Sequence, residues 1–286
     1  MSKNLSFTSH GELTGSGIEY IKKCRPLQNE TDVLKIIQKL LLQETVKMKR
    51  IKKFNNQKLQ ATYLCSGPAP FLYDLQESDS FLYNLLTRHL NLALVDLSEN
   101  FTRFNKIQYP QFKSVVADAT RYGNQIQDQA LIILNSSYHH IPDNNKKEFL
   151  ENIFQNLKIG GRVIMGENFL PKYKSSNDRV LSVQKYYKKL LIFYHSILEE
   201  MPKQDIIDRK NLTDSIDLIK EVKKRDLNRY GEFKTDLKTF IDILPKGFEI
   251  LEISQVWPLK QTIKISQTVQ IPNNYYGSGV LLLEKK

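Results

Sequence analysis

Three short apolar runs, each closing on a distinctive polar or small-residue end, restrict this chain more than anything else in it. Residues 61–70 read ATYLCSGPAP, residues 92–97 LALVDL and residues 114–119 SVVADA. Each is a buried-strand pattern, and the ends run in chain order: a small-residue turn, Asp96, then Asp118. An open parallel sheet holds a nucleotide-like ligand with polar groups placed at the carboxyl ends of its strands. A turn of small side chains lets backbone approach such a ligand, and a carboxylate can accept from both hydroxyls of a ribose.

The rest of the chain supplies the alternation that such a sheet needs. Strands are expected at 60–65, 92–96, 113–117, 129–134, 162–166, 248–256 and 277–284. Helices are expected at 71–89, from Ser98, at 143–156 and at 233–244. Strands apolar on both faces, separated by helices, predict a parallel sheet covered on both sides. Right-handed crossovers bring the named strand ends to one edge. The spacing of Val33, Ile36, Ile37, Leu40 and Leu41 is helical and follows the capping-type segment 29–32 (NETD). It predicts two or three helices ahead of the sheet. Residues 168–231 break the rhythm with a long helical spacing through Val180, Val183, Tyr187, Leu190, Leu191, Tyr194 and Leu198. The division expected is a helical cap over 1–56, a Rossmann-like domain over 57–167 and 232–286, and a helical insertion or lid over 168–231.

These motifs resemble the class I methyltransferases that use S-adenosylmethionine. The family's first motif is an acidic residue followed by Gly-x-Gly-x-Gly. Here the glycine positions fall on Cys65, Gly67 and Ala69, and the acidic position falls on Tyr63, so only Gly67 keeps the pattern. The acidic ends of the second and third strands match Asp96 and Asp118. Residues 135–142 (NSSYHHIP) resemble the loop beside the methyl donor, and 156–165 (NLKIGGRVIM) the helix, turn and fifth strand. The resemblance covers 57–170 and 232–286. It implies a seven-stranded, mostly parallel sheet whose last strand runs antiparallel between the fifth and sixth.

It also implies S-adenosylmethionine as cofactor and S-adenosylhomocysteine as product. The cofactor would be held by Cys65, Ser66, Gly67, Ala69, Asp96, Leu97, Asp118, Ala119 and Asn135. His139 and His140 form the only adjacent histidine pair. An imidazole titrates near neutrality and can take the proton from an attacking hydroxyl or amine, so one of the two is a candidate base. Tyr138, Glu167, Tyr194, His195 and Trp257 are expected around the substrate. The proline-bearing turn is also similar to nicotianamine-synthase-like enzymes, which transfer the aminocarboxypropyl arm of the same cofactor. The degenerate first motif keeps open a cofactor binder without catalysis.

Charge and cysteine usage narrow the classes further. The net charge of +11 is uneven: 12 basic against 5 acidic residues in 1–60, 9 against 10 in 61–165 and 15 against 11 in 166–235. The excess lies outside the cofactor half and reads as solvated helix faces, so nucleic acid is not an expected partner. No Asn-Pro-Pro-Tyr follows the fourth strand, which counts against methylation of nucleobase amino groups, and no Gly-x-Ser-x-Gly elbow supports a serine nucleophile. Cys24 and Cys65 lack paired spacing, which fits a reducing cytoplasm and no metal site. Residues 1–10 carry no signal-peptide core, and no run approaches the roughly 20 apolar residues of a membrane helix. The expected partner is a small-molecule substrate, enclosed by cap and insertion, with a homodimer left open.

Overall fold

The computed structural model describes residues 21, 27–50, 57–124, 126–265 and 274–286. The expectations for the amino-terminal segment, its glycines and Cys24 lie outside these residues. The described part of the cap includes one long helix, α1 (Gln28–Arg50), whose buried stripe runs through Val33, Leu34, Ile37, Leu40 and Leu41.

Parallel strands β1 (Leu59–Leu64), β2 (Leu90–Asp96), β3 (Lys113–Val116), β4 (Gln129–Asn135) and β5 (Leu157–Phe169) alternate with helices. β6 (Phe248–Trp257), β7 (Gln261–Lys264) and β8 (Gly277–Lys285) complete one sheet of order β3-β2-β1-β4-β5-β8-β6-β7. β8 pairs antiparallel with both β5 and β6, as the resemblance implied. The sheet has eight strands, not seven: β7 hairpins antiparallel onto the edge of β6. Gln261–Lys264 is short and mostly exposed, so it carries none of the apolar run by which a core strand is recognised.

The side-chain period of two sorts each strand between two cores. Leu92 and Leu94 face the core shared with α1, while Ala93 and Val95 face the one shared with α5 (Asp143–Asn156). α1 lies close on the sheet at Gly166, where a Cβ would sit 2.6 Å from Val33 Cγ1. The helix expected over 71–89 is two, α2 (Pro70–Ser78) and α3 (Ser80–His89). Asp79 divides them, its side chain accepting from Leu82 N at 2.8 Å, and an N-cap ends one helix by starting another. α4 (Glu99–Gln108) begins at Ser98, as expected, with the serine as its cap.

After β5 the chain forms two long helices, α6 (Ser176–Glu200) and α7 (Ile206–Leu227), packed on each other. Buried Arg179 ties them, donating to Asp226 Oδ1 at 2.5 Å and to the Asp226 carbonyl at 3.1 Å. The helix expected over 233–244 is only α8 (Leu237–Asp242). Residues 233–236 stay outside it because their backbone is used elsewhere: Phe233 N–H goes to the His139 carbonyl, and the Thr235 carbonyl accepts from Leu170 N–H. Among the described residues no helix is long and apolar enough to cross a membrane.

Candidate active site at the carboxyl edge of the sheet

Chain direction reverses its march across the sheet between β1 and β4, which are neighbours. Such a switch point opens a crevice at the carboxyl ends of the strands. The loop after β1 forms one side of it and the loop after β4 the other.

The β1 loop explains its own departure from the glycine motif. Cys65, Gly67 and Ala69 have φ of 49°, 50° and 51°. All three motif positions therefore take the left-handed conformation that glycine adopts freely and that costs other residues roughly 1–2 kcal/mol. Neighbouring contacts hold the strained loop. Ser66 N–H donates to the Val95 carbonyl, and Asn105 Nδ2 on α4 donates to the Gly67 carbonyl at 2.8 Å. Asp96 accepts from Gly67 N–H at 2.7 Å and from Ser98 N–H at 2.8 Å, which fixes its carboxylate at the end of β2. A Cβ built on Gly67 would meet nothing within 4 Å, so its backbone borders open space.

The nine residues expected at the cofactor lie along the ends of β1 to β4. Ser66 and Ala69 have buried side chains, leaving backbone as what they can offer. Leu97 is 62% exposed, an apolar surface directly after Asp96 that suits the face of a purine. Asp118 lies beyond the end of β3, where its carboxylate accepts from Thr120 N–H and Oγ1, both at 2.8 Å. Ala119 is buried, its carbonyl accepting from Asn152 Nδ2. Asn135 ends β4 with Oδ1 buried beside Gly166. These residues fit a nucleoside-bearing ligand: an open backbone cradle, a fixed carboxylate and an exposed apolar side chain in succession.

The loop after β4 turns at Ser136 (φ 49°) into a 3-10 turn over Tyr138–His140. The turn separates the two histidines. His139 is buried, with side-chain exposure of 7%, whereas His140 is 48% exposed. Glu167, near the end of β5, hydrogen-bonds His139 Nδ1 through Oε1 and accepts the His139 backbone N–H through Oε2 at 3.2 Å. With Nδ1–H on the carboxylate, Nε2 carries the lone pair and faces Glu232 Oε2 at 3.7 Å. Burial, followed by the charge of Lys234, pushes the His139 pKa well below its ordinary value. The imidazole is therefore neutral and able to accept. Burial pushes the Glu167 pKa up, opposed by the backbone N–H of Asn168.

Glu232 and Lys234 enter from the segment after α7 and pair at 2.6 Å, both buried. Burial raises the Glu232 pKa, but Lys234 and the two histidines outweigh it and hold it at about 2. Lys234 is likewise depressed by burial but raised further by Glu232, so it stays charged. The ligand atoms of His139, His140 and Glu232 lie within 4.8 Å of one another, a spacing that suits a metal. The Lys234 ammonium already supplies a cation to that carboxylate, which argues for a proton-handling site instead.

Beside these groups is a cavity of about 150 Å³. Its polar end is formed by Glu30, Ser136, His139, Asn168, Glu232 and Lys234, with His140 at its border. Its opposite wall is apolar: Leu27, Leu190, Leu218, Ile219 and Val222. All five residues expected around the substrate are absent from the lining. Tyr138 is buried between Phe149 and Phe240. Tyr194 is fully buried, its hydroxyl donating to Asn29 Oδ1, and His195 is exposed on the next position of α6. Trp257 stacks edge-on behind Tyr186 at 5.4 Å. Helical phase puts Tyr186, Tyr187 and Leu190 on the cavity, and Tyr194 one turn too far along. Glu167 sits beneath His139 as its partner. Glu30, Asn168, Glu232 and Lys234 carry no local signal of a site: Glu30 reads as part of a helix cap, Asn168 as the start of the insertion, Glu232 as the residue that follows it, and Lys234 as part of the helix expected over 233–244.

Comparison with known proteins places the fold in company. No family model matches the chain. A carboxy-S-adenosyl-L-methionine synthase from Histophilus somni (strain 2336) is 27% identical over 97 residues, which span 34% of this chain and 39% of that protein. A TehB-like SAM-dependent methyltransferase from Corynebacterium glutamicum superposes with TM-score 0.44 and 12% identity, covering 85% of this chain and 87% of that one. The N-methyltransferase NodS from Bradyrhizobium japonicum, in complex with S-adenosyl-L-homocysteine, gives 0.42 and 11%, covering 85% of each. At these identities and TM-scores the likenesses assign no activity to this chain. What the site does has to come from its own residues.

Proposed function

We propose that this chain is an S-adenosylmethionine-dependent methyltransferase acting on a small molecule held in the cavity under α6 and α7. The observation that carries this reading is the neutral, carboxylate-oriented His139 facing a cavity beside the β1/β4 crevice. S-adenosylmethionine supplies a methyl group on a sulfonium, activated for attack by a nucleophile. Cys65–Ala69, Asp96, Leu97, Asp118, Ala119 and Asn135 hold it. His139 Nε2 takes the proton from the acceptor, and Glu167 keeps the imidazole in the accepting tautomer, as a triad carboxylate does. Glu232 at 3.7 Å stabilises the imidazolium as it forms. The apolar wall excludes water from the acceptor and strengthens these interactions. The degenerate glycine motif does not weaken the reading, because all three positions hold the left-handed conformation that glycine adopts freely.

The test follows the nucleoside product and needs no known substrate. The full chain is incubated with S-adenosylmethionine and cell extract, and adenosine-containing products are read by mass spectrometry. The expected result is enzyme-dependent S-adenosylhomocysteine. Methylthioadenosine would replace the reading with aminocarboxypropyl transfer. A carboxylated donor would replace it with the activity named for the Histophilus somni relative. No product across varied extracts would favour a cofactor binder.

A further inference from the structure

The two carboxylates lining the cavity differ in how their charge is met. Glu232 has Lys234 at 2.6 Å. Glu30, in the first turn of α1, is held by neutral donors, Ser136 Oγ at 2.9 Å and Asn168 Nδ2 at 3.2 Å. Among the described residues it forms no ion pair. The Asn168 amide is committed to this orientation, since its Oδ1 accepts from Tyr186 Oη at 3.1 Å and from Ser278 Oγ. Glu30 is thus built into place and partly exposed to the cavity, with no salt-bridge partner among the described residues.

An anionic substrate would meet two carboxylates and one ammonium already engaged. Burial pushes the Glu30 pKa up, opposed by its hydrogen bonds from Ser136 and Asn168, so beside a neutral hydroxyl the carboxyl relieves the cost of a buried charge by taking a proton and offers only a neutral hydrogen bond. An ammonium group would meet the ionised carboxylate with a charge-assisted hydrogen bond. The opposite wall is aliphatic, and a cavity of about 150 Å³ is the size that holds a benzene-sized body. Building on the methyl-transfer reading, we propose that Glu30 is the recognition residue for an amine acceptor, a primary amine on a compact, ring-sized apolar body. The nitrogen sits on Glu30 and the body lies against Leu190, Ile219 and Val222. An ammonium must lose one proton before its lone pair is available, and His139 Nε2, lining the same cavity, is the group that receives it.

Calorimetry on the full chain tests this with benzylamine, benzyl alcohol and benzoate, three ligands of one size that differ in charge. Each is titrated with and without S-adenosylhomocysteine. Benzylamine is expected to bind at least about tenfold tighter than benzyl alcohol, the worth of one charge-assisted bond, and benzoate weakest of the three. Glu30→Gln should bring benzylamine to within about twofold of the alcohol without altering S-adenosylhomocysteine affinity. Glu30→Asp, which keeps the charge, should retain part of the preference. Equal binding of the three, a preference for benzoate, or no benzylamine binding would overturn the proposal. So would a Glu30→Gln that weakens S-adenosylhomocysteine and spares the amine, which would assign Glu30 to the donor. The wild-type ranking decides even if neither variant folds. Wild type that binds benzylamine but no S-adenosylhomocysteine would remove the methyl-transfer reading and leave the amine site standing, so the two failures separate.

Discussion

Along the carboxyl edge of the sheet, the candidate cofactor site is made mostly of backbone. Cys65, Gly67 and Ala69 matter through their φ values, Ser66 through its N–H, and Asp96 through a position fixed by two backbone donors. Under α6 and α7 the cavity is made of side chains from five stretches of chain: Glu30, Ser136 with His139, Asn168, the α6–α7 pair, and Glu232 with Lys234. A backbone site tolerates residue changes that keep the loop conformation, as Cys65 and Ala69 do at positive φ. A side-chain site tolerates few, because most of its groups are buried and the Glu232–Lys234 pair needs both members. The two regions should therefore fail independently and by different amounts.

The largest separation is expected from Arg179→Ala. Removing one member of a buried pair costs about 3–5 kcal/mol. The lower end applies here, because burial already pushes the Asp226 pKa up and the carboxyl can neutralise itself by taking a proton. The roof formed by α6 and α7 should loosen, abolishing benzylamine binding while S-adenosylhomocysteine affinity changes little. Hydrogen exchange of α6 and α7 against β1 and β2 would show where the stability is lost. Equal loss in both regions would mean that they are one cooperative unit.

Next comes His139→Gln. If His139 is the base, turnover should fall by roughly 10²–10⁴ with S-adenosylhomocysteine affinity unchanged by calorimetry. Glu167→Gln should cost less and shift the pH profile of turnover, because it acts by positioning the imidazole. A His139 variant with near-normal turnover would reduce the site to positioning alone.

Asp96→Ala probes the other region. If Asp96 accepts from the ribose hydroxyls as proposed, its loss should cost roughly 1.5–3 kcal/mol, about tenfold or more in S-adenosylhomocysteine affinity. Benzylamine binding measured without nucleoside should be untouched. Unchanged S-adenosylhomocysteine affinity in a folded variant would move the cofactor elsewhere.

The smallest effect is at Ala69. Ala69→Gly relieves roughly 1–2 kcal/mol of left-handed strain, offset by about 0.5–1 of chain entropy and about 0.8 for the buried methyl. The variant should be within about 0.5 kcal/mol of wild type by denaturant titration. Ala93→Gly in β2, with no strain to relieve, should cost roughly 1–2 kcal/mol. Similar losses at both positions would show that the loop is not strained in solution.

Local pattern made the central strands, α5 and the start of α4 legible, because a buried strand or an amphipathic helix is written in consecutive residues. It did not reveal the Asp79 break, where one side-chain cap outweighs continuing helical spacing. Nor did it reveal β7, whose exposed residues take their strand geometry from β6. Tyr194 and His195 were read as cavity residues from aromatic and polar character. Position along α6 instead carries Tyr194 past the cavity into the core, and helical phase turns His195 to solvent. Which histidine is buried was likewise invisible, since adjacent residues share every local signal and only a 3-10 turn packed on β5 separates them.

By itself, then, the amino-acid sequence determined a parallel α/β sheet, its switch-point edge and the order of polar strand ends, all consequences of short-range periodicity and turn chemistry. Only the tertiary structure decided that Cys65 and Ala69 stand in glycine's conformation, that Glu167 orients His139, and that Glu30 meets Asn168 across 138 residues of chain. Those facts depend on contacts between distant segments. Burial turns such contacts into shifted pKa values, which no local run of residues encodes.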